Sequence, residues 1–279
     1  MSSARAGTLY LVSTPIGNLG DMTHRAVEVL SSAALIIAED TRHSRRLLDH
    51  YKISTPLKSY HEHNEAQETP KLVARLRAGD SIALISDAGT PLISDPGSRL
   101  VAAAVEANLS VVPIPGASSV MAAIVGSGMP LERFTFVGFL PRRGRERSEM
   151  IADIVASHST VVMFEAANRV GATLGGLAAA GAGDRPAVVA RELTKQFEEF
   201  KRGSVAGLAA VYTEVDPKGE VVLVIAGAEK STVSEGELSD AARKLRASGN
   251  SPRDVMEHLM SGLGAPRNVA YKLAHESES

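Results

Sequence analysis

Four short segments concentrate groups that could bind or transform a small molecule. The run Ser13-Thr14-Pro15-Ile16-Gly17-Asn18-Leu19-Gly20-Asp21 follows an apolar stretch directly, and its small, turn-forming residues let the backbone approach a ligand closely. Ser86-Asp87-Ala88-Gly89-Thr90-Pro91-Leu92-Ile93-Ser94-Asp95-Pro96-Gly97 is long for a strand-to-helix connection, and long loops at that position commonly carry function. Its amides and carboxylates suit a polar, cationic or nucleoside-like ligand, while Asp95 also reads as a cap for the helix that follows. Ile114-Pro115-Gly116-Ala117-Ser118-Ser119 turns tightly into a helix whose free amides face the same edge. Glu39-Asp40-Thr41-Arg42-His43 sets acid beside base, although an N-cap Asp with a solvated Arg accounts for it nearly as well. His61 and His63 flank Glu62; on an extended segment the two imidazoles share a face and Glu62 points away. That leaves a metal short of ligands, so no metal is expected and the pair reads as a surface or substrate-contacting one.

These segments sit between regular elements. Apolar runs at Leu9–Ser13, Leu35–Ala38, Ile82–Ser86 and Val111–Ile114 alternate with amphipathic windows at Thr23–Ser31, Thr41–Tyr51, Pro70–Ala78 and Gly97–Ala107. Thr69-Pro70 predicts a capped helix start with proline in its first turn. Such alternation implies a mostly parallel, doubly wound sheet with its ligand at the carboxyl ends of the strands. Gly126, Gly128 and Pro130 form a joint, after which the pattern restarts: Phe134–Phe139, Arg145–Ala156, Thr160–Phe164, Asn168–Ala180, Ala187–Arg191 and Glu220–Ala226. The expected organisation is two α/β domains, 1–127 and 128–227, followed by a helical tail over 228–279 with helices at Glu235–Ala247, Pro252–Gly262 and Arg267–His275.

Composition narrows the classes. With 279 residues, 44% of them hydrophobic, the chain can bury sizeable cores. Lys+Arg number 30 against Asp+Glu 32, which excludes a globally basic nucleic-acid binder but not local basic patches. Cysteine is absent, so thiol catalysis, disulfides and Cys-zinc sites are impossible. The first residues lack the apolar core of a signal peptide. The uncharged stretch Ala107–Leu131 is broken by prolines and glycines, so no membrane span and a cytoplasmic protein are expected. No dinucleotide fingerprint, P-loop, zincin motif or G-x-S-x-G elbow occurs.

Taken in order, Thr14–Asp21, Ala38–His43, Ser86–Gly97 and Pro115–Ser118 resemble the motif set of the tetrapyrrole-methylase superfamily. His61-Glu62-His63-Asn64-Glu65, Gly138-Phe139-Leu140-Pro141, Arg191-Glu192-Leu193-Thr194-Lys195 and Lys218-Gly219-Glu220 extend the likeness to its ribosomal-RNA branch. One stretch departs: Phe164-Glu165-Ala166-Ala167-Asn168-Arg169 stands where the family usually carries Tyr-Glu-Ser-x-His-Arg. The resemblance implies S-adenosylmethionine in a cleft between two α/β domains, a homodimer, and 2′-O-methylation of a cytidine ribose in the decoding region of 16S rRNA in the small ribosomal subunit. It implies cofactor contacts from Pro15, Ser86, Asp87, Ala88, Gly89, Thr90, Ile93, Pro115, Gly116, Ala117, Ser118 and Ser119. From the second domain it implies Phe164, Glu165, Arg191, Glu192 and Leu193.

In-line transfer from an activated sulfonium is chiefly a positioning problem, and such alignment contributes roughly 7–11 kcal/mol. A ribose hydroxyl is a poor nucleophile, so a proton acceptor helps; Asp40, His61, His63 and Glu192 are all candidates. RNA contacts are expected from Arg42, His43, Asn64, Arg142, Arg143, Arg145, Lys195, Arg267 and Lys272, through phosphates rather than bases. In the tail a solvated helix face explains the charge equally well. Aromatic residues make up only 4%, which disfavours base-stacking platforms. Two other readings stay open: a methylase of a tetrapyrrole or protein side chain, and a non-catalytic RNA-binding assembly factor.

Overall fold

The computed structural model describes residues 6–215, 217–229, 234–265 and 267–275. The chain forms two compact units, residues 1–228 and 229–279.

The larger unit is built on two five-stranded sheets. The first contains β1 (Thr8–Val12), β2 (Leu35–Ala38), β3 (Leu57–Ser59), β4 (Ile82–Ile85) and β5 (Ser110–Ile114), in the order β3-β2-β4-β1-β5. Every pairing in it is parallel. Its inner strands β2 and β4 are apolar and buried on both faces because both are covered, as parallel sheets require. Leu9, Leu35, Ile37, Ile82 and Leu84 enter one core, against α3 (Glu65–Arg77) and α4 (Ser98–Glu106). Val12, Ile36, Ala38, Ala83 and Ile85 enter the other, against α1 (His24–Ser32) and α2 (Thr41–His50).

The second sheet contains β6 (Phe134–Phe139), β7 (Thr160–Ala166), β8 (Pro186–Arg191), β9 (Glu199–Ser204) and β10 (Glu220–Ile225), ordered β6-β7-β10-β8-β9. Only β6 and β7 run parallel; the other pairings are antiparallel. Its two faces are again both apolar. Val161, Met163, Val189, Val221, Leu223 and Ile225 pack beneath α6 (Arg145–Ala156), α7 (Val170–Leu177) and α8 (Val205–Glu214). The alternate residues Val162, Val188, Ala190, Val222 and Val224 meet Val120, Ala123 and Ile124 of α5 (Ser119–Ser127). The helix that leaves the first sheet thus roofs the second. The uncharged stretch Ala107–Leu131 is divided between β5, a loop and α5, and no helix among the described residues is long and apolar enough to cross a membrane.

The smaller unit holds α9 (Glu235–Ala247), α10 (Pro252–Leu263) and α11 (Arg267–His275) around Leu238, Ala242, Val255, Leu259, Ala270 and Leu273. Reciprocal Ser234/Glu237 and Ser251/Asp254 capping boxes start the first two helices.

Several expectations change. The helix expected to begin at Pro70 begins at Glu65, so Pro70 lies inside it. Buried Glu68, Leu72, Val73 and Leu76 hold that helix down despite the lost hydrogen bond. Residues 62–64 form a turn rather than an extended segment, closed by the Asn64 and Glu65 amides donating to the His61 carbonyl at 3.0 Å. The helix after the long loop is capped by Gly97, without a side-chain bond, so Asp95 is not its cap.

Helices α7 and α8 touch where Gly171 meets backbone: a Cβ there would lie 2.3 Å from the Tyr212 carbonyl oxygen. Gly171→Ala should therefore cost about 1–3 kcal/mol, read as a lower urea midpoint; an unchanged midpoint would contradict the packing described.

Candidate functional site

Three loops at the carboxyl edge of the first sheet are tied to one another by polar contacts. Thr14 and Gly89 exchange backbone hydrogen bonds at 2.9 and 3.1 Å, and the Thr14 hydroxyl donates to the Ser86 carbonyl at 3.2 Å. The Thr90 hydroxyl accepts from Ser13 and donates to the Ala117 carbonyl, at 3.2 and 3.3 Å. Gly89 takes φ +80°, and a Cβ there would lie 3.2 Å from Ile16, so backbone alone fits this crossing. Leu92 and Ser94 in the same loop also hold positive φ, as do Glu192 and Thr194 after β8. Such conformations cost roughly 1–3 kcal/mol each and cluster at functional loops.

Against this edge lie the ends of β7 and β10, leaving a cleft of 330 Å³. Ala88, Gly89, Thr90, Ile93, Ser118 and Ser119 form one wall; Phe164, Glu165 and Ala166 form the other, with Gly219–Val222 beside them. Ile16, Val120 and Phe139 add apolar surface, and Ser94 and Asp95 close one side. Glu165 is buried yet fully engaged. Its carboxylate meets Arg169 Nε at 2.7 Å and accepts from the Thr173 hydroxyl at 2.5 Å and the Ala166 amide at 2.8 Å. The two residues retained in the altered 164–169 stretch, Glu165 and Arg169, are therefore partners of each other.

A second cavity, of 270 Å³, shares Ile16, Ala88 and Glu220 with the first. Its lining is mixed: Thr14, Pro15 and Gly17 from the first loop, His43 and Arg46 from α2, Ser86 and Asp87 after β4, and Lys195. Pro115, Gly116, Ala117 and Ser118 border a third, wider depression with Asp21 and Thr194.

The acceptor candidates separate by environment. Asp40 caps α2, and its bonds from the Arg42 side chain and amide hold its carboxyl below the usual carboxylate range. Glu192 is a clasp: it pairs with Lys195 at 2.9 Å, which keeps its carboxyl low, and accepts the Glu220 amide at 3.1 Å. His61 Nδ1 is buried with no hydrogen-bond partner, and its ring meets His63 edge-on at 5.9 Å. Asp95 is the group that sequence reasoning missed. Burial and the neighbouring Glu39 carboxylate push its pKa up to about 6. Glu39 is itself raised, by partial burial and then by Asp87.

Other residues expected at the site lie apart from the cavities. Arg191 pairs with Glu199 at 2.6 Å, and Leu193 is buried in the α5 core. Among the RNA candidates, His43 and Lys195 line the second cavity; Asn64 instead closes the 61–64 turn through the His61 amide and Ser59 carbonyl. Arg42 pairs with Asp40 and Arg145 with Glu149, while Arg142 and Arg143 are exposed after β6. Arg267 and Lys272 are exposed on α11 of the smaller unit. The missed lining residues had a partial signal. Ser94 and Asp95 belong to the long loop and Gly219-Glu220 to a recognised motif, but Val222 reads only as core.

Residues 8–209 match the family described as Tetrapyrrole (Corrin/Porphyrin) Methylases. The fold recurs in uroporphyrin-III C-methyl transferase from Thermus thermophilus complexed with S-adenyl homocysteine, with TM-score 0.56 and 18% identity, covering 79% of this chain and 97% of that one. The chain belongs to the tetrapyrrole methylase family. Within that class it is 48% identical over 276 residues to "Ribosomal RNA small subunit methyltransferase I" of Synechocystis sp., covering 98% of this chain and 99% of the relative. It is 45% identical over 272 residues to the protein of the same name from Micromonospora olivasterospora, covering 96% and 87%. Its branch is that of the small-subunit ribosomal RNA methyltransferases.

A carboxyl whose folded pKa lies above its unfolded value favours the folded state below the unfolded pKa and loses that contribution as pH rises through the folded one. For Asp95 the window runs from the ordinary carboxylate range to about 6. Asp95→Asn should accordingly raise Tm at pH 7.5 by a few degrees, with the gain shrinking toward pH 4. A Tm lowered at pH 7.5 would contradict the environment assigned to this carboxyl.

Proposed function

We propose that this chain transfers the methyl group of S-adenosylmethionine to the 2′-hydroxyl of a cytidine ribose in the decoding region of 16S rRNA, within the small ribosomal subunit. The observation that carries the reading is the pair of adjoining cavities with a common wall at Ile16, Ala88 and Glu220. A methyl transfer needs two ligands brought nose to nose, and each cavity has the scale of one nucleoside.

The larger cleft fits the cofactor by its own chemistry. Gly89 and Gly219 hold positive φ where added side chains would strike Ile16 and Glu192, so backbone can approach a ligand closely. Phe164, Ile16 and Val222 offer apolar surface for a purine, and the Thr90 and Ser119 groups offer polar contacts. When bound there, the cofactor supplies an already activated methyl group. The protein's own work is then to align, to exclude water and to accept one proton.

The smaller cavity suits one nucleotide of an RNA better than a macrocycle. Arg46 and His43 stand at its α2 wall, where they would meet phosphate and lend orientation without base reading. This favours the RNA reading over a tetrapyrrole substrate. It also favours an enzyme over an assembly factor, since a cofactor-sized cleft remains despite the altered 164–169 stretch. A homodimer working in the cytoplasm belongs to the same reading, and sedimentation velocity reports the dimer directly.

Incubation with methyl-labelled cofactor and small subunits lacking the modification should label one cytidine ribose. Transfer to no form of the RNA would overturn the proposal. Arg46→Glu should weaken subunit binding by at least about tenfold while leaving S-adenosylhomocysteine affinity unchanged by calorimetry. Phe164→Ala should do the reverse.

A further inference from the structure

We infer that Glu220 is the proton acceptor of the methyl transfer, a role that rests on the methyltransferase reading above and on its placing of cofactor and ribose in adjoining cavities. A group that takes the hydroxyl proton must reach the point where the two ligands meet. Among the described residues, Ile16, Ala88 and Glu220 line both cavities, and Glu220 alone of the three has a side chain that can hold a proton. The other titratable groups stand to one side. Asp95 and Glu165 line the cofactor cleft only, whereas Asp87 and His43 line the second cavity only. The candidates read from sequence, Asp40, His61, His63 and Glu192, line neither.

Two sequence motifs that the cavities alone do not explain, Arg191–Lys195 and Lys218–Glu220, meet at this residue. The Glu220 carbonyl accepts the Glu192 amide at 3.0 Å, and Glu192 Oε1 accepts the Glu220 amide at 3.1 Å. Gly219 makes room for this exchange: it holds φ +88°, and a Cβ there would strike the same Glu192 oxygen. Lys195, which lines the second cavity, then spans Glu192 at 2.9 Å and Glu220 Oε2 at 3.1 Å. Partial burial works against the Lys195 charge, but the bonds to Glu192 and Glu220 outweigh it and raise the pKa. The ammonium is therefore a donor that fixes the carboxylate, not a rival acceptor. The Glu220 side chain is otherwise open, 73% exposed, so an incoming ribose can reach it.

A carboxylate in this place needs no unusual basicity. As the ribose oxygen bonds to the methyl carbon, the carbon–sulfur bond breaks and its electron pair leaves on sulfur. The ribose oxygen gains positive charge, and its proton becomes far more acidic than that of a carboxylic acid. The oxygen–hydrogen electron pair stays on the ribose oxygen, and the proton passes to Glu220 and later to water. Held at a fixed point, the carboxylate also orients the hydroxyl before the bond forms.

Three measurements test this on the full-length chain. First, Glu220→Gln should slow single-turnover methylation of small subunits by about a hundredfold or more, with S-adenosylhomocysteine and subunit affinities within about threefold of wild type. Second, added acetate should speed the Glu220→Ala variant severalfold by standing in for the missing carboxylate, and should not speed Asp87→Ala. Third, the chain has no cysteine, so Glu220→Cys carries a single thiol. Its alkylation, followed by mass spectrometry of that peptide, should be slowed by S-adenosylhomocysteine alone and by small subunits alone. A Glu220→Gln rate within about tenfold of wild type, or a loss matched by lost affinity for either ligand, would overturn the assignment. So would no acceleration of Glu220→Ala by acetate, acceleration of Asp87→Ala instead, or a thiol protected by one ligand only. The wild-type protein separates this failure from that of the underlying reading: if it methylates no small-subunit RNA, the reading fails whatever Glu220 does.

Discussion

The apolar seam between α5 and the inner face of the second sheet is the contact on which the site depends. Val120, Ala123 and Ile124 meet Val162, Val188, Val222 and Val224, with Ile16 from the first loop at one end of the same cluster. Without that seam the second sheet would expose a full face of valines, which a small sheet cannot sustain in water. With it, the loop feeding α5 is pinned against the ends of β7 and β10. The loops after β1 and β4 follow because Thr14, Gly89, Thr90 and Ala117 are hydrogen-bonded to one another. The cleft is therefore set by core burial together with the hydrogen bonds that tie its loops.

Polar groups around the cleft divide the labour. Glu165 and Glu192 have their charges satisfied, by Arg169 and Thr173 in one case and by Lys195 and the Glu220 amide in the other. Breaking such a buried pair is costly because it strands a charge, so these carboxylates hold loops in place. Asp95 and Glu39 lack comparable partners and carry raised pKa values instead. The clasp at Glu192 also explains two residues of unfavourable backbone conformation, Glu192 itself and Thr194: the loop is bent so that Lys195 can reach Glu192 and Glu220 together.

Long apolar runs were legible as strands because burial on both faces leaves no room for polar alternation; β2, β4 and β10 lie where hydrophobicity alone places them. The short strand β3 and the polar strand β9 were not legible. Leu57-Lys58-Ser59 and Glu199–Ser204 sit at sheet edges with partly exposed side chains, so their strand character comes from a neighbour's hydrogen bonds. Direction was hidden as well. A strand buried on both faces reads the same whether its neighbours run with it or against it, which is why the mixed second sheet looked parallel. Pro70 misled for a related reason: a local cap signal was overridden by buried Glu68, Leu72 and Leu76, a tertiary effect.

Residue order alone was enough for the α/β class, the loops that carry ligand-binding residues and the family motifs, since each rests on local backbone preference or on a short run of residue types. The folded chain was needed to say which of those groups share a cavity. His43 and Lys195, 152 positions apart by their numbers (195 minus 43), line one pocket, and Asp95 and Phe164 line another. It was also needed to assign protonation. The same carboxylate chemistry gives a helix cap at Asp40, a clasp at Glu192 and a carboxyl of raised pKa at Asp95, because burial and neighbouring charge, rather than residue type, set the cost of holding a charge.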